Sequence, residues 1–296
     1  MDGPRSYIGG KQSHNFPMTS GFLSHSLLEI WDRYEKQVRR SRSEISTKNI
    51  HQLRLSTQRL EAVLTLANSL KSNHNSKNII FLLKKVRKRL GPLRDVQVEA
   101  MVLKDLKENK VGKKGSKGFA SFFLRKRSSA KKKAVICLNE ISLRKERHRI
   151  RKMAKRIVEI EGQKTKSQIE NELNRKIRCS LETLNRMMTR MDPKGVKDIH
   201  RFRIRAKKLR YQGEFLTALS GSMIFDLNIL KQVQSVAGRI QNDNVSLGTL
   251  DQYLSKKKHS TDPRVLAVRK RIQNNQANLI DKDFKELTAL KWRTLN

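Results

Sequence analysis

The sequence has few cysteines, prolines, aromatic residues and acidic residues, and these scarcities exclude several classes of protein. Two cysteines among 296 residues cannot form a disulfide framework, and no zinc-ligand spacing is present. The longest apolar run, Ile79 to Leu83, is far too short to cross a bilayer. The first twenty residues lack the apolar region of a signal peptide. These absences predict a cytoplasmic protein with a disordered N-terminus at 1–20 and no membrane segment.

Acidic residues are scarce relative to basic ones. The chain has 66 lysines and arginines against 27 aspartates and glutamates, which gives a formal net charge of +39. Only 36% of residues are hydrophobic and 5% aromatic, so the core must be thin and must hold together against strong self-repulsion. A polyanionic partner would relieve that repulsion, and the composition therefore predicts one.

Apolar residues recur at intervals of three and four along nearly the whole chain, and prolines are rare, which predicts an all-α protein. After a first helix around residues 23–38, the pattern predicts further helices near 48–70, 76–90, 93–108, 119–160, 166–190, 196–219, 224–237, 240–256 and 263–290. The stretch 111–118, rich in lysine and glycine, is predicted to be a loop.

Two segments of the sequence are repeated at nearly constant spacing. His51-x-x-Arg54 followed by Arg59-Leu60 recurs as His200-x-x-Arg203 followed by Lys208-Leu209, with an offset of 149 residues. Residues 90–98 resemble residues 237–245 at an offset of 147. Because both pairs occur in the same order, they indicate a duplicated helical unit. Each half, 21–165 with a Lys/Gly-rich insertion near 110–118 and 166–296, has about the size of a four-helix bundle.

The second copy of the motif places its charges on one helix face. At about 100° per residue, His200, Arg203, Lys207 and Arg210 fall within an arc of about 80°. Apolar residues flank this arc on both sides, which predicts a helix packed on two edges with its charges facing a wet cavity. We call these four residues the basic stripe. Arginine, lysine and histidine together suit phosphate oxygens.

The first copy repeats this geometry with a less basic stripe, in which Gln58 and Glu61 follow His51 and Arg54. Glu61 and Glu214 are expected to form salt bridges with nearby cations. In the other repeated segment, Gly91 and Pro92 are expected to end one helix and begin the next. Arg94 is expected to face the cavity, and Asp95 to orient a neighbouring arginine.

These motifs resemble the CHAD domain, the conserved histidine α-helical domain. The resemblance extends over roughly residues 20–290 and is most specific from His200 to Glu214. It implies two four-helix bundles related by a pseudo-two-fold axis, with a basic central cavity that binds inorganic polyphosphate. Carried over by position, the binding residues are His51, Arg54, Arg59, Arg94, His200, Arg203, Lys207, Lys208, Arg210 and Tyr211. The chain departs from the family pattern at Gln58, Glu61 and Asn242.

We therefore expect a polyphosphate-binding protein of polyphosphate granules, with no catalytic residues, metal site or cofactor and an undetermined oligomeric state. The alternative is nonspecific binding to the RNA or DNA backbone. Residues 104–156, with 20 basic against 4 acidic residues, favour it, whereas the scarcity of aromatics and of nucleic-acid-binding motifs disfavours it. A phosphohydrolase is a third possibility, but the sequence has no P-loop and no carboxylates spaced to hold paired magnesium ions.

Overall fold

The computed structural model describes residues 21–286 apart from 71–73, 109–112, 193–194, 222–224 and 257–260. The regular secondary structure of these residues is entirely helical, as predicted. The α-helices are α1 (Phe22–Ser43), α2 (Thr47–Ala67), α3 (His74–Arg89), α4 (Gly91–Glu108), α5 (Lys113–Asn139), α6 (Leu143–Gln163), α7 (Lys166–Arg190), α8 (Val196–Ser220), α9 (Leu227–Leu254) and α10 (Pro263–Asn278). A π-helical segment, Leu279–Phe284, follows α10. None of the described helices is both long enough and apolar enough to cross a membrane.

The largest core joins the two halves of the chain. Helices α1, α2, α3 and α6 pack around one part of it, where Trp31 and Leu53 are fully buried. The same core continues through α7, α8 and α9 to the π-helical segment, where the rings of Phe202 and Phe284 meet edge to face with centroids 6.1 Å apart. Helix α8 connects the two regions because it packs on both α2 and α9.

A second, smaller core lies where α4, α5, α9 and α10 meet. Phe119 of α5 and Tyr253 of α9 stack edge to face with centroids 5.3 Å apart, and Val102 and Val268 pack beside them. Asp262 starts α10 by accepting backbone hydrogen bonds from Arg264 and Val265, with Pro263 in the first turn. This aspartate-proline pair gives the helix both an N-cap and a preset backbone angle.

The repeated segments form different structures in the two halves. In the first half, α3 ends at Arg89 and α4 begins at Gly91, which confirms the break predicted there. In the second half, the break predicted between residues 237 and 240 is wrong, because α9 runs without interruption from Leu227 to Leu254. Arg239 stands where the first half has Pro92. Unlike proline, arginine supplies a backbone N–H and does not clash with the preceding turn.

The single helix predicted over 119–160 is also wrong, because α5 ends at Asn139 and α6 begins at Leu143. Arg42 of α1 stabilises this break by donating hydrogen bonds to the carbonyl oxygens of Leu138 and Ile141, at 2.8 and 2.5 Å. The Leu138 carbonyl lies in the last turn of α5, where it also accepts a hydrogen bond from the Ile141 backbone N–H, and Ile141 lies in the connection between the two helices.

The other differences lie at the ends of elements. Residues 113–118 form the first turns of α5 and not a loop, and the last predicted helix divides at Asn278, where the π-helical segment begins. The disorder predicted for residues 1–20 lies outside the described residues.

Candidate functional site: a basic cluster between α2 and α8

The two copies of the histidine-arginine motif lie on helices that touch. Helices α2 and α8 pack against each other, and the buried amide of Gln212 donates a 3.3 Å hydrogen bond to the carbonyl oxygen of Ala62. Helix α4, which carries Arg94 and Asp95, packs on α2, and α3 packs on α2 as well. Four helices can therefore contribute side chains to one site.

Six cations from these helices form what we call the basic cluster. Their charges act on one another strongly enough to shift several pKa values. The cluster consists of Arg54 of α2, Arg87 of α3, Arg94 of α4, and Arg203, Lys207 and Arg210 of α8.

Lys207 is the most strongly perturbed member of the cluster. Burial and the positive charges of Arg203, Arg210, Arg54 and Arg87 lower the pKa of Lys207 from 10.5 to about 7. A lysine with this pKa is only partly charged at neutral pH. The basic stripe therefore contains a cation whose charge depends on what occupies the site.

Burial and neighbouring positive charges also disfavour the charged form of two arginines of the cluster. Burial and the positive charge of Arg87 lower the pKa of Arg54 from 12.5 to about 10, and the negative charge of Asp95 opposes this shift. Its Nη1 donates a 2.6 Å hydrogen bond to the carbonyl oxygen of Arg87. Burial and the charge of Arg94 lower the pKa of Arg203, whose Nε is buried with no hydrogen-bond partner among the described residues. A buried, unsatisfied cationic donor favours an anionic ligand.

Burial and nearby cations lower the pKa values of the two motif histidines as well. Burial lowers the pKa of His51 below its usual 6.5, and the charges of Arg94, Lys207 and Arg54 lower it further. Burial and Arg203 lower the pKa of His200, while a hydrogen bond with Gln241 opposes them. Both shifts disfavour the charged form of the imidazole in this site.

Tyr211 is buried within the cluster. Its ring centroid lies 4.8 Å from the Arg210 guanidinium, 5.6 Å from that of Arg59 and 5.8 Å from the Lys207 ammonium. Cations at these distances are attracted to the face of the ring. The Tyr211 ring thus offsets part of the repulsion between Arg59 of α2 and the cations of α8.

Carboxylates adjoin the cluster at three points. Glu214 pairs with Arg210 at 3.5 Å, as predicted. Glu61 also forms a salt bridge as predicted, and its partner is Arg87 of the neighbouring helix α3. Asp95 lies close enough to Arg54 and Arg94 for their charges to oppose the rise that burial causes in its pKa. These acids offset only part of the positive charge.

Comparison with known proteins identifies the family. The CHAD domain family model matches residues 24–283. The chain belongs to the CHAD domain family. The crystal structure of the CHAD domain from the plant Ricinus communis is similar with a TM-score of 0.64 and 15% identity, covering 98% of this chain and 100% of that one. PptA from Streptomyces chartreusis is similar with a TM-score of 0.64 and 14% identity, covering 91% and 98%. No curated protein sequence matches significantly.

Within this CHAD fold, most of the predicted binding residues come together around Lys207 and Tyr211, and Lys208 points elsewhere. Lys208 lines a groove of about 360 Å³ between α2, α7 and α8, together with Lys176 and Arg205. The charges of Glu61 and Arg87 still reach it.

Sequence reasoning missed Arg87. The basic run from Lys84 to Arg89 gives no sign that Arg87 is the member that pairs with Glu61 and acts on Lys207. Gln241, the partner of His200, was missed as a contributor as well. Its place in the repeated segment at 237–245 is the signal that could have found it.

Proposed function

We propose that this CHAD protein binds inorganic polyphosphate on the basic cluster. The observation that carries the proposal is the depressed pKa of Lys207, Arg54 and Arg203, which marks a site with more positive charge than its carboxylates offset. Phosphate oxygens would satisfy the Arg203 Nε donor and restore the charge of Lys207. The excess charge predicts only that the ligand is an anion. The resemblance to the CHAD family is the reason to propose polyphosphate as that anion.

We further propose that the cluster occupies a central cavity between two bundles related by a pseudo-two-fold axis. Two packing contacts support this arrangement. Helices α2 and α8, which carry the two copies of one repeated motif, pack on each other, and α4 and α9, which carry the two copies of the other, do so too. Contacts between matching elements are expected near an internal two-fold axis.

We propose binding without hydrolysis. Glu61 and Glu214 each pair with an arginine, and Asp95 lies near two arginines. These carboxylates therefore neutralise cations and are not arranged for acid-base catalysis. Among the described residues, no group of three or more histidines, cysteines or carboxylates could hold a metal ion. Release of phosphate from polyphosphate by the purified protein would contradict this proposal.

Calorimetric titration with long-chain polyphosphate tests the site. The triple variant Arg203→Ala, Lys207→Ala, Arg210→Ala should lose tight binding. A variant with Lys131, Lys132 and Lys133 changed to alanine loses the same charge from an exposed part of α5, and it should bind nearly as well as the wild type. Affinity should fall steeply with salt because bound polyphosphate releases condensed counterions. Equal losses in the two variants would show that net charge, and not the cluster, binds the polymer.

The same two variants test attachment to granules in cells. If the cluster binds granule polyphosphate, the wild type and the α5 variant should co-localise with granules, and the Arg203/Lys207/Arg210 variant should not. Unchanged localisation of that variant would refute granule attachment through this site. RNA serves as the competitor in the titration. If all three proteins bound polyphosphate equally and RNA displaced it from each of them, the nucleic-acid alternative would be favoured instead.

A further inference from the structure

The outer face of α3 carries an exposed aromatic side chain that folding does not explain. Phe81 is 69% exposed, more than any other large hydrophobic side chain in the described part of the chain. Helix α3 buries Ile79, Leu83 and Val86 on its opposite face. Single exposed apolar side chains are common on protein surfaces, so what distinguishes Phe81 is the set of charges around its ring.

The residues around Phe81 on this face are lysines. Lys77, Lys84, Lys85 and Lys88 are all exposed, and no ion pair of the described residues involves them. Lys77 precedes Phe81 by four residues, and Lys84 and Lys85 follow it by three and four, so each lies within about 6 Å of it along the axis. Helix α3 contains no acidic residue. The ring therefore has unpaired cations on both sides.

We propose that the outer face of α3 binds single-stranded nucleic acid, with Phe81 stacking on a base and the lysines contacting the flanking phosphates. An aromatic platform bordered by cations is the usual chemistry of single-strand binding. Inorganic polyphosphate has no base and could use the lysines only. A membrane surface fits less well, because a membrane-binding helix presents a broad apolar face, whereas Phe81 is a single ring among lysines.

A neighbouring helix extends the positive surface. Helix α6 packs beside α3 and has a core face that includes Ile150 and Ile157. Its exposed positions are rich in cations, among them Arg144, Lys145, Lys152, Lys155 and Arg156. Backbone phosphates beyond the stacked base would meet these cations. This surface assigns a role to part of the basic segment 104–156 that polyphosphate binding at α2 and α8 leaves unused.

Two probes with the same phosphates separate base stacking from charge. Fluorescence anisotropy would compare a short thymidine oligonucleotide with an abasic oligonucleotide of equal length. The wild type should bind the thymidine probe about tenfold more tightly or better. Phe81→Leu should remove this difference, and Phe81→Tyr should retain it. Leu266→Ala removes another exposed apolar side chain, on α10, and should leave the difference unchanged.

The proposal is wrong if the wild type binds both probes equally, or if Phe81→Leu weakens both by the same factor. Binding to anionic vesicles that depends on Phe81, without any preference for bases, would overturn it in favour of a membrane surface. The inference does not rest on polyphosphate binding. The Arg203/Lys207/Arg210 variant should keep the preference for bases even if the wild type fails to bind polyphosphate, so the two proposals can fail separately.

Discussion

Polyphosphate binding should take up a proton at Lys207, and this is the sharpest consequence of the cluster. In the free protein, burial and four nearby arginines hold the pKa of Lys207 at about 7. Bound polyphosphate would place negative charge beside the ammonium and move its pKa back toward 10.5. Because the bound form then carries the proton that the free form has lost, binding and protonation are linked between these two values.

The magnitude follows from the two pKa values. At pH 8 a lysine with a pKa of about 7 is protonated in about a tenth of the molecules, so binding should take up about 0.9 proton at this residue. Charging the residue first costs about 1.4 kcal/mol at pH 8 and about 2.7 kcal/mol at pH 9. The Lys207 contribution to affinity should therefore fall up to about tenfold for each pH unit above 7.

Calorimetry in buffers with different ionisation enthalpies measures this proton uptake directly. Lys207→Arg is the matched control, since arginine keeps its charge over the whole range and can still contact phosphate. Its titration at pH 8 should take up about 0.9 proton less than the wild type, and its affinity should depend less on pH. The pKa of His200 is also lowered, but Lys207 is not among the causes, so the His200 contribution cancels in the comparison. The charge of Lys207 does lower the pKa of His51, so both titrations are compared in proteins that also carry His51→Gln.

Equal proton uptake by wild type and Lys207→Arg would refute the reasoning. It would mean that Lys207 is already charged in the free protein, or that polyphosphate does not reach it. Loss of binding in the Lys207/Arg203/Arg210 alanine variant would then distinguish these cases, because a ligand that stays away from the stripe would not respond to that variant either.

Three further predictions concern the stability of the fold. Burial raises the pKa of Glu146 from 4.5 to about 7, so the native state binds the extra proton between these values and the free energy of unfolding should fall as pH rises through that window. Glu146→Gln should abolish the fall and raise the free energy of unfolding by about 3 kcal/mol at pH 8, and an unchanged pH dependence in urea denaturation would contradict this. Glu61→Gln leaves Arg87 without its carboxylate partner, so urea denaturation should show a free energy of unfolding lower by about 2 to 4 kcal/mol, while titration should show a higher affinity for polyphosphate. A decrease in both stability and affinity would contradict the idea that Glu61 opposes the ligand. Phe202→Ala removes a fully buried ring that packs on Phe284 and should cost about 3 to 5 kcal/mol, whereas a cost below 1 kcal/mol would show that this core region is loosely packed.

Helical periodicity predicted most of the fold because each helix of this protein has its own apolar face. Periodicity does not reveal a helix end that depends on a distant residue. The break between α5 and α6 is stabilised by Arg42 of α1, and no local pattern around residue 140 reveals that contact. The continuity of α9 could have been predicted from the sequence, because Arg239 stands where the first repeat has Pro92.

The sequence by itself determined the all-helical fold, the excess of positive charge, the duplication of the histidine-arginine motif and membership of the CHAD family through those motifs. Each of these depends on residue type and spacing along one chain. Only the tertiary structure decided which cations meet, because charge interactions depend on distance and burial between helices. It brought Arg87 to Lys207, turned Lys208 toward another groove, and left Phe81 on the surface.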